Sequence, residues 1–196
     1  MSESTREPMD QYECTETVLS TFPDAAIVSN LGVASWILAT LEDRHRNFYM
    51  DGAMGGTSAT GLGIALGTDA DVVVLEGDGS LLMSLGVLSM IGEYGPANLT
   101  VVLMDNGTYQ TTGGQPSITT AVDFAAVAED CGVQSYRTRS DAEFESALRT
   151  ASEHDGPTLV ECPVEPVDVG PPEDFVNYER SHAYLAHRFR RALEER

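Results

Sequence analysis

The sequence predicts an α/β protein built on an open, mostly parallel sheet with helices on both faces, followed by a C-terminal helical extension. Short runs rich in Val, Leu and Ile show no alternation of polar and apolar residues, which is typical of strands buried on both sides. Helical patterns separate these runs, as they do where helices join parallel strands. The 196 residues are enough for one good-sized domain of this kind.

The predicted elements follow one another after a polar opening. Strands are expected at 25–30, 48–50, 71–76, 99–104, 133–136 and 158–162. Between them lie an apolar stretch at 33–41, a small-residue segment at 52–63 and helices at 80–93, 122–131 and 141–154. The strongest strand signal is the uninterrupted apolar run 72–75, and the helix after it places Leu81, Leu85 and Leu88 on one face.

A break near the C-terminus predicts where the domain ends. Gly170 is followed by Pro171 and Pro172, and this combination interrupts regular structure. We therefore expect a domain over residues 1–170 and a helical extension over residues 171–196, in which 175–194 form the helix.

The charge balance is strongly acidic. The chain has 31 Asp and Glu residues against 11 basic residues, all of them Arg, and a formal net charge of −20. A field of this sign repels phosphate backbones, so no nucleic acid partner is expected. The carboxylates are spread along the chain, which favours adaptation to molar salt, where a Debye length of about 3 Å screens self-repulsion. The composition therefore predicts a halophilic archaeal source.

Cysteine usage and hydropathy exclude several classes of protein. Cys14, Cys131 and Cys162 are too few and too widely spaced for a disulfide framework, a structural zinc site or a cysteine-ligated cluster. The N-terminal residues contain no apolar segment typical of a signal peptide, and no run of about 18 apolar residues occurs. The sequence therefore predicts a cytoplasmic protein with no membrane partner.

Two predicted strand ends carry the residues that indicate chemistry. The first is Gly77-Asp78-Gly79-Ser80, between a strand and a helix, where glycines and free N–H groups suit a phosphate. Asp78 would repel that phosphate unless a divalent cation lay between them. The second strand end is Asp105-Asn106-Gly107-Thr108, in which the Asn106 amide oxygen is a hard ligand. Residues 80–104 provide one helix and one strand, so both ends should lie side by side.

These residues resemble those of the thiamine-diphosphate-dependent enzymes, whose diphosphate-binding domain carries GDG, about 25 residues, and then Asn or Asp followed by Asn. The resemblance implies that Mg²⁺ is bound by Asp78, the Asn106 side chain and the main-chain carbonyl of Thr108. It also implies that the backbone at Gly77, Gly79 and Ser80 holds the diphosphate of the cofactor.

Within the family, the sequence is most similar to the β subunits of sulfopyruvate decarboxylases and the C-terminal halves of phosphonopyruvate decarboxylases. The resemblance covers roughly residues 27–116 and rests on NFYMDGAMG, GLGIAL, EGDGSLLMSLGVLSMIGEYGPANLTVVLMDNGTY and TGGQPS. The family usually has GSMG where this chain has Gly52-Ala53-Met54-Gly55, and it seldom has Asp51. These departures affect the substrate prediction rather than the cofactor prediction.

The resemblance also assigns roles beside the cofactor rings. Met54 is implied as the apolar wedge that keeps the two rings folded, a contact that suits a polarizable thioether. The Gly52 carbonyl would accept a hydrogen bond from the 4′-amino group of the cofactor. Gln115 is expected to be a polar group on the substrate side and, with Met54, is a candidate catalytic residue, while Tyr109 lies in the same loop and is a candidate cofactor contact.

One group that the family requires has no match in this chain. A Glu from a pyrimidine-binding domain must hydrogen-bond the cofactor N1′, and no glutamate here matches that role by motif. The resemblance therefore implies a separate pyrimidine-domain subunit that supplies the Glu, a hetero-oligomer, and active sites at subunit interfaces.

The function implied is non-oxidative decarboxylation of a 2-oxoacid with an anionic tail, such as sulfopyruvate, by a chain that is inactive alone. The alternatives are a subunit of a phosphonopyruvate or other 2-oxoacid decarboxylase, the β subunit of a ferredoxin-linked 2-oxoacid oxidoreductase, and a thiamine-diphosphate-binding module without catalysis. The lack of a cysteine cluster counts against the oxidoreductase.

Overall fold

Six parallel strands form the central sheet of the computed structural model, which describes residues 8–173, 175 and 181–194. These strands are β1 (Ala26–Ser29), β2 (Asn47–Tyr49), β3 (Val72–Gly77), β4 (Leu99–Asp105), β7 (Gln134–Arg137) and β8 (Thr158–Pro163). Their order in the sheet is β2-β1-β3-β4-β8-β7. Two further strands, β5 (Thr108–Tyr109) and β6 (Gln115–Pro116), form a short antiparallel hairpin within the predicted loop.

Eight α-helices accompany the sheet in the described part of the chain. They are α1 (Gln11–Thr21), α2 (Val33–Leu41), α3 (Thr57–Ala65), α4 (Asp78–Met83), α5 (Val87–Tyr94), α6 (Phe124–Asp130), α7 (Asp141–Ser152) and α8 (His182–Glu194). None of these described helices is both long and apolar enough to cross a bilayer.

Helices cover both faces of the sheet, which confirms the predicted fold class. Alternate residues of each strand point to opposite faces. Val73 therefore packs with α1 and α7 residues such as Val18 and Leu148 in one core, while Val74 packs with α3 and α5 residues in the other. Because both faces are buried, the strands read as continuous apolar runs in the sequence.

The chain reverses its direction across the sheet between β1 and β3. From β1 the next strand, β2, lies on one side, and all later strands of this sheet lie on the other. Ligands bind at such a switch point, beyond the carboxyl ends of the strands. Asn30 follows β1 there, next to Gly77 at the end of β3, and Gly77 pairs in register with Met104 of β4.

Two local differences separate the predicted elements from the observed ones. The helix expected at 80–93 is two helices, because the chain leaves the helical conformation at Ser84 (φ −133°, ψ 35°) and starts α5 after Gly86. The polar opening contains α1, which sequence reasoning missed. Asp10 caps it by accepting hydrogen bonds from the amides of Tyr12 and Glu13.

The C-terminal helix α8 packs along the edge strand β2. The Phe189 ring lies 5.3 Å from that of Phe48 in an edge-to-face contact, and Arg188 donates two hydrogen bonds of 2.7 and 2.9 Å to the Asp43 carboxylate. The helix begins at His182, later than the predicted start at 175; residues 176–180 of that prediction lie outside the described residues. The division of the chain at residue 170 stays a prediction.

Candidate cofactor site

A cleft with a cavity volume of about 100 Å³ lies beyond the carboxyl ends of β1, β3 and β4. It brings together seven of the ten residues singled out in the sequence: Met54, Asp78, Gly79, Ser80, Asn106, Thr108 and Tyr109. The remaining lining residues are Gln11, Asn30, Leu31, Val33, Ala34, Met104, Gln110, Thr111 and Thr112. Gly77 lies at the base of this site as the last residue of β3, whereas Gly52 and Gln115 do not line the cleft.

Asp78 is the carboxylate of this cleft and is almost completely buried, with 2% of its surface exposed. It is the first residue of α4, so the strand-to-helix turn carries its side chain into the cleft. Its Oδ2 atom accepts hydrogen bonds from the hydroxyl groups of Ser117 and Thr119, the second at 3.2 Å. The carboxylate is thereby held in a defined orientation.

Asn106 is fixed on the neighbouring strand end by hydrogen bonds on both sides of its amide. Its Oδ1 atom accepts a 2.9 Å hydrogen bond from the Thr108 amide, and its Nδ2 atom donates a 2.9 Å bond to Gln110 Oε1. Gln110 in turn donates to the carbonyl oxygen of Val167. Oδ1 also accepts a longer bond of 3.4 Å from the Thr108 hydroxyl group. A hydroxyl group can rotate away, so Oδ1, with two lone pairs, can keep the amide bond and still bind a cation.

The electrostatics of the cleft favour a divalent cation. Burial and the neighbouring negative charge of Asp78 raise the pKa of Asp105 to about 6. Among the residues described, neither Arg nor His lines the cleft, so no side chain there offsets that charge. No described group of three His, Cys, Asp or Glu side chains forms a metal site. The oxygen donors at the ends of β3 and β4 are the Asp78 carboxylate, the Asn106 amide oxygen and nearby main-chain carbonyls, which fit Mg²⁺ with its preference for few protein oxygens plus phosphate.

Gly79 is required by the close approach of the Tyr109 ring. A Cβ atom at Gly79 would lie 2.3 Å from Cε1 of Tyr109, a contact that real side chains do not make. Tyr109 therefore packs directly over the start of α4, and its hydroxyl group lies 3.5 Å from the carbonyl oxygen of Ser117. The first N–H groups of α4 have no acceptor within the helix, which leaves those of Gly79 and Ser80 available to an anion.

Glu76 organises the wall of the site from within the protein, where it is 1% exposed. Its Oε2 accepts hydrogen bonds from the amide (3.0 Å) and hydroxyl (2.7 Å) of Ser58, near the start of α3, whose own N-cap residue provides no side-chain bond. Its Oε1 accepts from the Gly77 amide. The Ser80 hydroxyl also bonds this carboxylate and accepts a 3.0 Å bond from the Gly55 amide. Burial raises the pKa of Glu76, while these hydrogen bonds oppose the rise.

The segment from Asp51 to Met54, called the rim, reaches the cleft at Met54 and is exposed throughout. The Met54 side chain lines the cleft but keeps 39% of its surface exposed. Gly52 has a positive φ of 64°, a conformation that favours glycine. Asp51 lies 3.3 Å from Nε2 of His182 at the start of α8.

Gln115 does not line the cleft, although Thr112, which it contacts, does. It is exposed on β6, and its Nε2 donates a 3.0 Å hydrogen bond to the carbonyl oxygen of Thr112. In this structure the side chain is engaged within its own hairpin, so its proposed role on the substrate side stays a prediction.

Sequence reasoning missed four residues that shape the site. Asn30 occupies the strand-end position after β1, where its Oδ1 accepts from Thr57 Oγ1 at 3.2 Å; its place after an apolar run was the available signal. No comparable sequence signal marked the other three residues, Gln110, Ser117 and Thr119. Ser117 and Thr119 contact Asp78 across 39 and 41 residues, and nothing local in the sequence marks that contact.

Comparisons with known proteins agree with this geometry. Residues 31–162 match the family model described as thiamine pyrophosphate enzyme, C-terminal TPP binding domain. A phosphonopyruvate decarboxylase of Streptomyces viridochromogenes is 46% identical over 77% of this chain, which spans 38% of that protein. The sulfopyruvate decarboxylase subunit beta of Methanothermobacter thermautotrophicus is 41% identical over 81% of this chain, which spans 83% of that subunit.

A solved structure shows the same fold. The thiamine diphosphate-dependent 4-hydroxybenzoylformate decarboxylase of Rhodococcus jostii RHA1 superimposes with a TM-score of 0.71 over 86% of this chain and 35% of that chain, at 21% identity. The match to the family model includes the ends of β3 and β4 and every residue that lines the cleft except Gln11 and Asn30. The chain therefore belongs to the thiamine pyrophosphate enzymes, of which it contains the C-terminal cofactor-binding domain.

Proposed function

We propose that the chain is the β-type subunit of a thiamine-diphosphate-dependent 2-oxoacid decarboxylase that acts on sulfopyruvate or a close relative. The observation that carries the proposal is the juxtaposition of Asp78 and Asn106 in one cleft whose lining offers no cationic side chain. The substrate class is supported by the relative named sulfopyruvate decarboxylase subunit beta, because this chain spans 83% of that subunit.

In this proposal Mg²⁺ is held by the Asp78 carboxylate, Asn106 Oδ1 and the main-chain carbonyl of Thr108. The N–H groups of Gly79 and Ser80 bind the diphosphate, and Gly77 lets the backbone approach it. When bound, the cofactor supplies an electron sink for the loss of CO₂ from a 2-oxoacid. The task of the protein is to fix the cofactor at these atoms and to exclude water from the closed site.

The rim residues have a separate role in the proposal. Met54 packs against the cofactor rings, and the Gly52 carbonyl accepts a hydrogen bond from the 4′-amino group. Tyr109 contacts the cofactor, and Gln115 is a polar group on the substrate side. Gly52 and Met54 are both exposed in the isolated chain, which supports a site that the surface of another subunit completes.

That surface is a separate pyrimidine-domain subunit, which supplies the activating Glu in a hetero-oligomer. No Glu lines the cleft among the residues that the structure describes, and Glu76 is committed to Ser58 and Gly77 within the protein. The isolated chain should therefore bind the cofactor without turning over substrate.

The test is to assay CO₂ release from sulfopyruvate, phosphonopyruvate and pyruvate by this chain alone and with the co-expressed product of a neighbouring reading frame. Thiamine diphosphate and Mg²⁺ are present throughout. We expect activity only in the mixture, with sulfopyruvate turned over fastest. Robust turnover by the isolated chain would contradict the two-chain proposal.

The second candidate is a phosphonopyruvate decarboxylase subunit, favoured by the 46% identity to the Streptomyces enzyme. Faster turnover of phosphonopyruvate in the same assay would select it. Reduction of ferredoxin would indicate the oxidoreductase, and cofactor binding without CO₂ release would indicate a binding module.

We also propose a salt-rich cytoplasm of a halophilic archaeon as the setting of this protein. The support is the net charge of −20 together with a chain in which every basic residue is Arg. Screening at about 1 M KCl reduces the Debye length to about 3 Å and should raise the unfolding temperature markedly. Equal unfolding temperatures at low and molar KCl would contradict salt adaptation.

A further inference from the structure

We propose that Ser117 and Thr119 are positioning residues for Asp78: their hydroxyl groups hold one carboxylate oxygen so that the other is presented to a divalent cation. This inference rests on the proposed function, in which Asp78 binds Mg²⁺. It adds two side chains that do not touch the metal but determine how tightly Asp78 binds it.

The first support is the geometry of three buried side chains. Asp78, Ser117 and Thr119 are 2%, 1% and 5% exposed. The Ser117 hydroxyl donates to Oδ2 of Asp78, and Oγ1 of Thr119 lies 3.2 Å from that oxygen and 3.0 Å from Oγ of Ser117. Both hydroxyl groups are thus directed at Oδ2, and Oδ1 accepts neither of these two bonds.

The second support is the backbone between the two hydroxyl groups. Ile118 has φ = 61°, and no other non-glycine residue in the described part of the chain has a positive φ. This conformation is costly for a β-branched side chain. Its side chain is 75% exposed, so apolar burial does not offset the strain. The contacts that fix it come from its neighbours: the Ser117 amide bonds the Gly107 carbonyl oxygen at 3.0 Å, and both hydroxyl groups reach Asp78.

The chemistry of the arrangement suits a metal ligand. Hydroxyl groups satisfy Oδ2 without adding positive charge, whereas an Arg in the same place would repel the cation. A carboxylate with one oxygen held by hydrogen bonds has a single orientation. Metal binding then costs little further conformational entropy of this side chain. Hydrogen bonds of this kind around metal ligands typically change metal affinity about 10- to 100-fold.

The experiment compares Ser117→Ala, Thr119→Val and the double variant with the unaltered chain. Calorimetry measures the Mg²⁺ concentration required for half-maximal binding of thiamine diphosphate. We expect the double variant to need about 10- to 100-fold more Mg²⁺. Cofactor binding should be recovered at saturating Mg²⁺, because Asp78 and Asn106 remain in place.

Two controls separate positioning from folding. Thr119→Ser retains the hydroxyl group and should keep Mg²⁺ affinity within about threefold of the original, while Thr119→Val is closely matched in shape but cannot donate. Thr120→Val removes an exposed hydroxyl group from the next residue and should change nothing. Thermal unfolding without Mg²⁺ and cofactor identifies any variant that fails to fold. If Ser117→Ala fails to fold, the comparison of Thr119→Val with Thr119→Ser tests the inference by itself.

The outcomes distinguish this inference from the proposed function. If Asp78→Ala binds cofactor with unchanged Mg²⁺ dependence, the proposed function itself is wrong. If Asp78→Ala loses binding but the double variant, or Thr119→Val, matches Thr119→Ser in Mg²⁺ affinity, the positioning role is wrong. A lower unfolding temperature with unchanged Mg²⁺ affinity also overturns it.

Discussion

The two sides of the cleft are built in different ways. On the diphosphate side, at the ends of β3 and β4, the carboxylates of Glu76 and Asp78 are buried and hydrogen-bonded by groups from several elements. On the rim, the segment from Asp51 to Met54 is exposed, and Asp51 interacts with His182 at the surface.

The difference shows which part of the proposed cofactor site is already formed in the chain without a ligand. Buried, hydrogen-bonded groups keep their positions without a ligand, because moving them would leave polar atoms unpaired. An exposed apolar side chain such as Met54 gains its packing only when another surface covers it. The chain thus contains a buried, hydrogen-bonded half, proposed to hold the metal and the diphosphate, and an exposed half, proposed to hold the cofactor rings, in keeping with the proposed two-chain enzyme.

Asp78→Ala tests the buried half most directly. Removing the buried carboxylate eliminates the charged metal ligand, so we expect Mg²⁺-dependent binding of thiamine diphosphate to weaken more than about 100-fold. Calorimetry with and without EDTA measures it. Asp155→Ala, which removes an exposed charge far along the chain, is the control for net charge. Equal binding by Asp78→Ala, or binding undiminished by EDTA, would refute the metal site.

Glu76→Ala tests the internal hydrogen bonds that support this half. The substitution leaves the amides of Ser58 and Gly77 without their acceptor in a buried setting, which should lower the free energy of unfolding by about 2 kcal/mol. Urea unfolding of the cofactor-free chain gives the value. Glu145→Ala, on the exposed side of α7, should stay within about 0.5 kcal/mol of the original. An unchanged unfolding free energy in Glu76→Ala would show that these bonds contribute nothing net.

Met54→Ala tests the exposed half. Because the side chain is partly exposed, its loss should change cofactor binding to the isolated chain by less than about threefold, while turnover by the two-chain enzyme falls about tenfold, or about 1.4 kcal/mol. Calorimetry and the decarboxylation assay give the two numbers. Met90→Ala removes a similarly exposed methionine that does not line the cleft. Equal turnover by both variants would deny Met54 its proposed role.

Asp51→Asn should have the smallest effect. The two side chains of the Asp51–His182 pair are 63% and 42% exposed, and water and salt screen such pairs. We expect the unfolding free energy to change by less than about 0.5 kcal/mol, measured by urea unfolding at low salt. A loss above about 1 kcal/mol would mean that the rim is anchored to α8 and is not a loose segment. Arg188→Ala, which breaks the less exposed pair with Asp43, provides a comparison with a larger expected loss.

The meeting of the ends of β3 and β4 could be predicted from the sequence, because the information for it is local. Gly77-Asp78-Gly79 and Asp105-Asn106 each end an apolar strand, and one helix and one strand separate them. Parallel strands joined in that way bring their carboxyl ends to one edge, as the pairing of Gly77 with Met104 confirms. The position of Gln115 could not be predicted in this way, since the loop's own hydrogen bonds decide where its side chain points.

The sequence by itself determined the sheet, its two covered faces and the meeting of the two strand ends, since burial on both sides and short connections leave few other arrangements. Only the tertiary structure decided that Ser117 and Thr119 bond Asp78, that Glu76 supports α3 and α4, and that α8 covers β2. These contacts join residues far apart in the chain. Such pairings depend on the packing of whole elements, which no local pattern of residues encodes.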